Sequence, residues 1–464
     1  MRKLFFLFFL FGLGPESLQA QNLYEGDSTI LSIRSIEFVG NKVTKEFVFL
    51  REMNLKEGDT VSAYRLEEVL EFNQIRILNS KLFSEVTYLV LNRAADKIDV
   101  QFKVRELFYW AVHPYLELAD RNFNVWWEQM GRDLNRINIG LDFDRKNFRG
   151  RGEEIGGEVQ IGFNKHIYLY YDNPYVSKNL KHGIRAIASY NTGKETQTQT
   201  DSNKQVFHRI ESENPFRWYR AQLSWLFRPA YYGVHELGLG LHHWTITDSL
   251  INEQPAFLGM GKNEMSYLEF FYKFKYNNTD DRNYPEQGLE FEFMASQKGL
   301  GVFNDVSQLQ FYNHIGIYKK LSDRVSLAFH ERARLSFGPD QPFLLNRAMG
   351  FKNDFIRGYE YYLMDGTHYA LARADVRYKF LDFSLRQEYL PIFQHIPIKV
   401  YGKTYYDAGY AYNKYQGNNF LNNRFLNSYG AGIDLVVSYY VLLRIEYSFN
   451  HLGENGLFLH SRKE

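Results

Sequence analysis

The residue types that commonly carry chemistry are present in this sequence, but not at spacings that chemistry can use. His242-His243 are adjacent, and on an extended segment consecutive side chains leave on opposite faces, so the two cannot readily bind one metal. His235-Glu236 lacks the second His of a zinc-protease helix. Gly150-x-Gly152-x-x-x-Gly156 has the wrong spacing for a dinucleotide loop, and Gly261-Lys262 has no upstream glycine at phosphate-loop spacing. No cysteine exists to act as a nucleophile, and Ser, His and Asp are too frequent to single out a triad. The sequence predicts no enzyme, no cofactor and no metal centre.

Composition narrows the classes further. Net charge is +1, from 55 basic and 54 acidic residues, without the basic bias of a nucleic-acid binder. Aromatic residues make up 17% of the chain, with 35 Tyr and 39 Phe, yet mean hydropathy is −0.43. There is no apolar run of about 20 residues, which excludes a helical membrane protein. Many aromatics beside many charges fit a large soluble β-protein, or a barrel whose strands alternate a lipid-facing side with a wet lumen.

Met1-Arg2-Lys3, the apolar stretch from Leu4 to Leu13 and Ser17-Leu18-Gln19-Ala20 predict a secretory signal peptide over 1–20, with an apolar part too short to span a bilayer. A linker, 21–29, leads into 30–106. There, Ile33, Ile36 and Phe38 mark a strand ending at Gly40-Asn41. Thr44 is a candidate N-cap for a short helix with Phe47, Val48 and Leu50, and Gly58-Asp59 breaks it. Ser62 is expected to cap a second helix carrying Leu66, Val69, Leu70 and Ile77 at helical spacing. Strands near 85–92 (Val86, Tyr88, Val90) and 97–105 complete a β-α-α-β-β unit with one small core.

From Leu107 to Glu464 period-two segments dominate, among them Phe270 to Tyr276, Leu289 to Phe293 and Leu443 to Phe449. In a soluble sandwich their apolar face is the core. In a membrane barrel that face meets lipid and the charges line the lumen. The period is the same in both, so pattern leaves inside and outside open; export and aromatic load favour the barrel. Polar stretches at 192–205 and 413–428 predict long outward loops, and a turn near Asp323 a short periplasmic one. The remaining length permits roughly 12 to 18 strands, with about 16 expected, in an antiparallel transmembrane β-barrel behind one small α/β domain.

The N-terminal unit resembles a POTRA domain through Ile36-x-Phe38-x-Gly40-Asn41 with Thr44, Gly58-Asp59, and Leu82-Phe83-x-x-Val86. The rest resembles the bacterial surface antigen family, the BamA/TamA-like outer-membrane assembly and translocation superfamily. Four segments carry that resemblance: Asn147-x-x-Gly150-x-Gly152, Asp281-Arg282-x-x-Pro285-x-x-Gly288, Phe355-Ile356-Arg357-Gly358-Tyr359 and Tyr406-Asp407-Ala408-Gly409. There are departures. The chain has room for one POTRA domain where assembling members generally carry several. Gly350-Phe351 stands where a Gly pair usually precedes the loop motif, and Ser461-Arg462-Lys463-Glu464 follows the last strand where an aromatic residue usually ends it.

The resemblance implies that Arg357, with Gly358 and Tyr359, folds back into the lumen and pairs with inward carboxylates. Alternation supplies two. Asp407 shares its face with Lys403, Tyr405 and Gly409, and Asp375 shares its face with Arg373, Arg377 and Lys379. A planar guanidinium suits the role because its fork can bridge two carboxylates and so fix the lumen plug and strand registry. The resemblance also implies a seam between the first strand (about 107–118, with Trp110) and the last (about 455–461, with Leu457 and Leu459). That seam would open so that a client strand templates on free backbone groups. The strand bearing Val86, Tyr88 and Val90 is either an exposed edge for β-augmentation or a covered one.

The implied function is assembly or insertion of unfolded polypeptides at the bacterial outer membrane, with the POTRA domain in the periplasm. Partners would be unfolded outer-membrane or secreted polypeptides, the lipid bilayer, and periplasmic chaperones or lipoproteins; no nucleic acid is expected. One rival is a translocase secreting a client through the barrel, although such proteins usually show two POTRA domains and a plug helix, for which 21–30 is too short. The other is a passive channel or structural barrel with a docking POTRA domain.

Overall fold

A computed structural model describes residues 29–460 apart from 95, 210–212, 260, 304–305, 340, 352, 387–394 and 438–440. The expected signal peptide 1–20, the linker up to residue 28 and the tail 461–464 lie outside the described residues.

The N-terminal unit runs β1 (Ile30–Val39), α1 (Glu46–Glu52), β2 (Thr60–Ser62), α2 (Leu66–Leu78), β3 (Phe83–Ala94) and β4 (Lys97–Glu106). Its sheet has the order β2-β1-β4-β3, with β1 and β4 parallel. The helices cover one face, over a core that includes Leu31, Ile33, Phe49, Leu70, Ile77, Val100 and Phe102.

Local expectations fail here where distant partners intervene. The three-residue β2 is an addition to the β-α-α-β-β order, and it holds Ser62 opposite Ile30. Ala63 N donates to Thr29 O at 2.9 Å, so Ser62 precedes a 3-10 turn, Ala63–Arg65, and α2 starts only at Leu66. Thr44 does not cap α1, whose N-cap is Lys45. Its hydroxyl is bonded to the Glu106 carboxylate, and lies 2.9 Å from the Tyr109 hydroxyl.

The following strands are β5 (Trp110–Leu118), β6 (Ile137–Phe148), β7 (Glu153–Gly162), β8 (Asn164–Asn173) and β9 (His182–Gly193), with a helix α3 (Phe123–Glu128) after β5. A hairpin of β10 (Glu195–Asp201) and β11 (Lys204–Arg209) comes next. Then follow β12 (Phe216–Phe227), β13 (Gly233–Ile246), helix α4 (Asp248–Glu253), β14 (Glu264–Asn277), β15 (Gly288–Lys298), β16 (Gln308–Lys320) and β17 (Val325–Phe337). After the short β18 (Arg347–Met349) and β19 (Met364–Asp365) come β20 (His368–Arg386), β21 (His395–Tyr412), β22 (Leu426–Val437), β23 (Val441–Asn450) and β24 (Asn455–His460). Sixteen of these form one antiparallel sheet, from β5 at one end to β24 at the other. The stretch 192–205, read as a loop, is mostly hairpin. Ser202 (φ 50°) and Asn203 (φ 60°) both adopt the positive φ of a two-residue turn that matches strand twist.

Burial decides the question that the period left open. Along β23, Leu443, Ile445 and Tyr447 are exposed while Arg444, Glu446 and Ser448 are buried. The same inversion holds on β20, where Val376 and Tyr378 are outward and Asp375 and Arg377 inward. Apolar outside with charge inside is unfavourable in water and suits a bilayer around a polar lumen. Among the described residues no helix is long and apolar enough to cross a membrane.

Candidate functional site

The segment between β17 and β20 leaves the far end of the barrel and turns inward. It carries Arg357 to a wholly buried position against β20–β23. Its Nε donates to Asp407 Oδ2 at 2.9 Å and NH2 to Oδ1 at 2.5 Å, while the backbone N–H of Arg357 also donates to Oδ2 at 3.0 Å. NH2 lies 2.8 Å from Asp375 Oδ1 and NH1 3.3 Å from Glu446 Oε1. The guanidinium stacks 3.8 Å over the Tyr405 ring. Three carboxylates from three strands thus converge on one cation, and breaking such a buried cluster costs about 3–5 kcal/mol.

Small residues make the approach possible. Gly358 has φ +86°, and a Cβ there would meet Ser448 Cβ at 3.1 Å and Ser428 Cβ at 3.5 Å. A Cβ at Gly409 would lie 2.6 Å from Ile356 Cδ1, which accounts for a glycine two residues after Asp407. Tyr359 anchors the next step, its hydroxyl donating to Asn427 O at 3.0 Å. Around the clasp the charges are paired onward: Lys403 with Asp434 at 2.9 Å and Glu446 at 2.6 Å, and Arg377 with Asp375 at 3.3 Å.

The lumen is also entered from the other end. The turn 278–287 points Tyr284 inward, where its hydroxyl donates to Asp434 Oδ2 at 2.8 Å. Arg377 NH1 donates to Pro285 O at 3.1 Å, and Tyr401 OH donates to Glu286 Oε1 at 2.7 Å. The Asp281–Gly288 segment is therefore an inward plug rather than a simple connection.

The N-terminal unit seats on that same end. Glu52 lies 2.9 Å from Arg228 NH1 and accepts from Tyr175 OH at 2.9 Å, and Arg76 lies 3.5 Å over the Tyr231 ring. Lys45 N donates to Gly150 O at 2.8 Å and Asn147 Nδ2 to Thr44 Oγ1 at 2.8 Å. A Cβ at Gly150 (φ +73°) would fall 2.0 Å from Val43 O, so the Asn147–Gly152 motif is a landing site for this unit. Burial raises Tyr109, between the two units, to about 12, and raises Tyr175 as well, with Glu52 adding to the effect.

Of the strand-edge residues, Val86 points into the core and its carbonyl accepts from Gln74 Nε2 of α2 at 2.5 Å. β3 is the edge of its sheet, partly covered at Val86 and open beyond it, where Leu89 and Val90 are exposed. Tyr88 is half-buried, and burial, then Glu67 and Glu71, raise its pKa.

At the seam, the ladder ends at β5 and β24 with no register between them. Trp110, Leu457 and Leu459 face outward. A cavity of about 310 Å³ lies at this gap, bounded by Leu116, Leu459 and His460 and, deeper, by Arg373, Glu360 and Glu446. β5 carries Pro114, which has no N–H to offer a neighbour and suits an edge strand.

Glu446, the third carboxylate on Arg357, is not singled out by the sequence. Glu446 lay in plain view in the alternation of β23; only the register of four strands brings it to the loop. Among the described residues one group could hold a metal: Glu290, His314 and His330, with ligand atoms within 4.8 Å of one another. Tyr318 OH donates to Glu290 at 2.6 Å, Arg332 is the register partner of His314 and Arg377 lies 6.0 Å from the Tyr318 ring.

An N-terminal α/β unit seated on a 16-stranded barrel with charge inside, apolar residues outside and an inward arginine loop defines a transmembrane barrel of the outer-membrane type. Family models agree: residues 31–107 match the POTRA model, described as a surface antigen variable number repeat, and 147–455 match the Omp85 superfamily domain. The chain belongs to the Omp85 superfamily. The family's barrels are outer-membrane proteins with periplasmic POTRA domains, and they act on polypeptides. No curated protein matches the chain. A structure of BamA from Haemophilus ducreyi lacking POTRA domains 1-3 is similar over 94% of this chain and 85% of that one, at 15% identity and a TM-score of 0.56. CdiB from Escherichia coli is similar over 93% and 76%, at 9% identity and a TM-score of 0.58. CdiB from Acinetobacter baumannii is similar over 93% and 73%, at 11% identity and a TM-score of 0.51. At these identities the likeness concerns the fold.

Proposed function

We propose that this protein assembles unfolded polypeptides into the outer membrane, with capture at the β3 edge and templating at the seam between β5 and β24. The observation that carries this reading is the contrast between a lumen filled from both ends and a seam with no ladder. An extended chain meets Arg357, Tyr284 and their hydrogen bonds and ion pairs inside the barrel, but at the seam two strand edges with no ladder between them. Backbone groups at a strand edge are a template for a further strand, and no nucleotide or cofactor is needed. The chain acts as a binding and guiding surface rather than an enzyme. Secretion of a client through the lumen is the rival reading.

Because the chain has no cysteine, a reversible cross-link tests this directly. Cysteines at Leu116 and Leu459, which border the same cavity, are bridged by a cleavable thiol-specific linker in cells. Loss of outer-membrane protein assembly on bridging, with recovery on cleavage, is the expected result. Unimpaired export of a client past a bridged seam would favour the lumen route.

A further inference from the structure

The outward edge of β24 is not bare. Asn124, buried in α3, donates from Nδ2 to Leu457 O at 2.7 Å and accepts at Oδ1 from Leu459 N at 3.4 Å. On an extended strand the C=O of one residue and the N–H two residues later point the same way, while the residue between turns its own groups towards the opposite neighbour. Phe458 is that residue, and it pairs with Glu446 of β23. One side-chain amide therefore takes up the acceptor and the donor with which a further strand would begin its ladder.

The amide is held firmly from its own side. Val125 and Trp126 are fully buried, Trp126 Nε1 donates to Asp133 O at 3.0 Å, and Asn122 Oδ1 caps Val125 N at 2.8 Å. The same short segment grips the lumen loop. Arg121 NH1 donates to Tyr362 O at 2.9 Å and Gly350 O at 3.2 Å, and Asn122 Nδ2 donates to Glu360 O at 3.0 Å. Three near-consecutive side chains thus join the backbone of the Arg357 loop to the free edge of the last strand.

We propose that Asn124 is a strand-mimicking stopper, occupying the pairing edge of β24 in the resting barrel and giving it up to an extended polypeptide strand when the Arg357 loop shifts. This rests on the assembly reading above and adds the regulation of its seam. An edge facing lipid needs its backbone groups satisfied, and an amide does this without committing the edge to a permanent ladder. The longer of the two bonds, at 3.4 Å, makes the contact one that a full ladder displaces.

The test compares the full-length protein with Asn124→Ala and Asn122→Ser; Ser at 122 retains a cap for α3 but loses the bond to Glu360 O. Amide hydrogen exchange over 457–460 is measured in detergent, and a photo-crosslinker at Leu459 reports on newly exported barrel precursors in cells. The expected result is several-fold faster exchange and several-fold more adduct in Asn124→Ala, with a smaller change of the same sign in Asn122→Ser. Unchanged exchange and adduct in Asn124→Ala, while the parent still forms adducts, overturn the stopper and leave the assembly reading standing. If no variant forms adducts, the assembly reading fails, and exchange alone decides whether Asn124 occupies the edge. Should Asn124→Ala not fold, Asn124→Asp serves in its place, because a carboxylate cannot donate to Leu457 O.

Discussion

Arg357 and Asp407 are joined through both backbone and side chain: one carboxylate receives the Nε, the NH2 and the main-chain N–H of the same residue, at 2.9, 2.5 and 3.0 Å. Asp407 therefore fixes where the loop backbone lies as well as where the guanidinium points. Arg357→Lys keeps the charge but loses the fork that spans Asp375, Asp407 and Glu446. Asp407→Ala leaves the loop amide and the guanidinium short of acceptors. We expect Asp407→Ala to lower the barrel's stability by about 3–5 kcal/mol and Arg357→Lys by less, read as a fall in thermal unfolding temperature in detergent.

Gly358 gives a finer test of the same fit. Alanine there costs roughly 1–2 kcal/mol from its positive φ, and its Cβ would press on Ser448 Cβ at 3.1 Å. Ser448→Gly also removes the 2.6 Å contact between the Ser448 and Tyr405 hydroxyls, so Gly358→Ala is introduced with and without it: the loss caused by Gly358→Ala should be smaller, but not zero, in the Ser448→Gly background. No loss in that background, or an undiminished one, would show that one of the two causes is wrongly assigned.

Glu52 is the residue on which seating of the N-terminal unit turns, since it meets both Arg228 and Tyr175. Glu52→Ala leaves the partly solvated Arg228 without its carboxylate, a loss of roughly 1–3 kcal/mol in docking. The barrel should unfold at its usual temperature, while spin-label distances between the POTRA unit and the barrel broaden.

That seating should also respond to alkali. Burial raises Tyr109 to about 12 and raises Tyr175 too. Below the ordinary tyrosine value near 10 both phenols are neutral, docked or released, and their contribution is complete. Between pH 10 and 12 the released form ionises while the docked form resists, so docking weakens as pH rises. The same spin-label distances should hold to about pH 10 and broaden above it, with Tyr109→Phe moving the change to higher pH.

The sequence was legible wherever a short-range rule governs. Period two assigned Asp375 and Asp407 to one face, because alternation depends only on an extended backbone. It could not say which face is the lumen; that follows from closure of the sheet, seen in buried Arg444 and Glu446 beside exposed Leu443 and Ile445. Thr44 and Ser62 look like caps by type, but the Thr44 hydroxyl is bonded to Glu106 and Ser62 is paired with Ile30 of β1, both distant in sequence. Asn124 carries no signal of its own, since its partner strand lies at the other end of the chain. Pro114 was the available clue that β5 is an edge.

On the proposed route, clients pass along the β3 edge and the seam. Site-specific photo-crosslinking in growing cells tests it most directly, with probes at Tyr88, Trp110 and Leu457, and a lumen control at Tyr405. Adducts with newly exported barrel precursors are expected at Tyr88 and at both seam positions, and few at Tyr405. Adducts confined to Tyr405, or no client adduct at any position in a stably folded barrel, would contradict it.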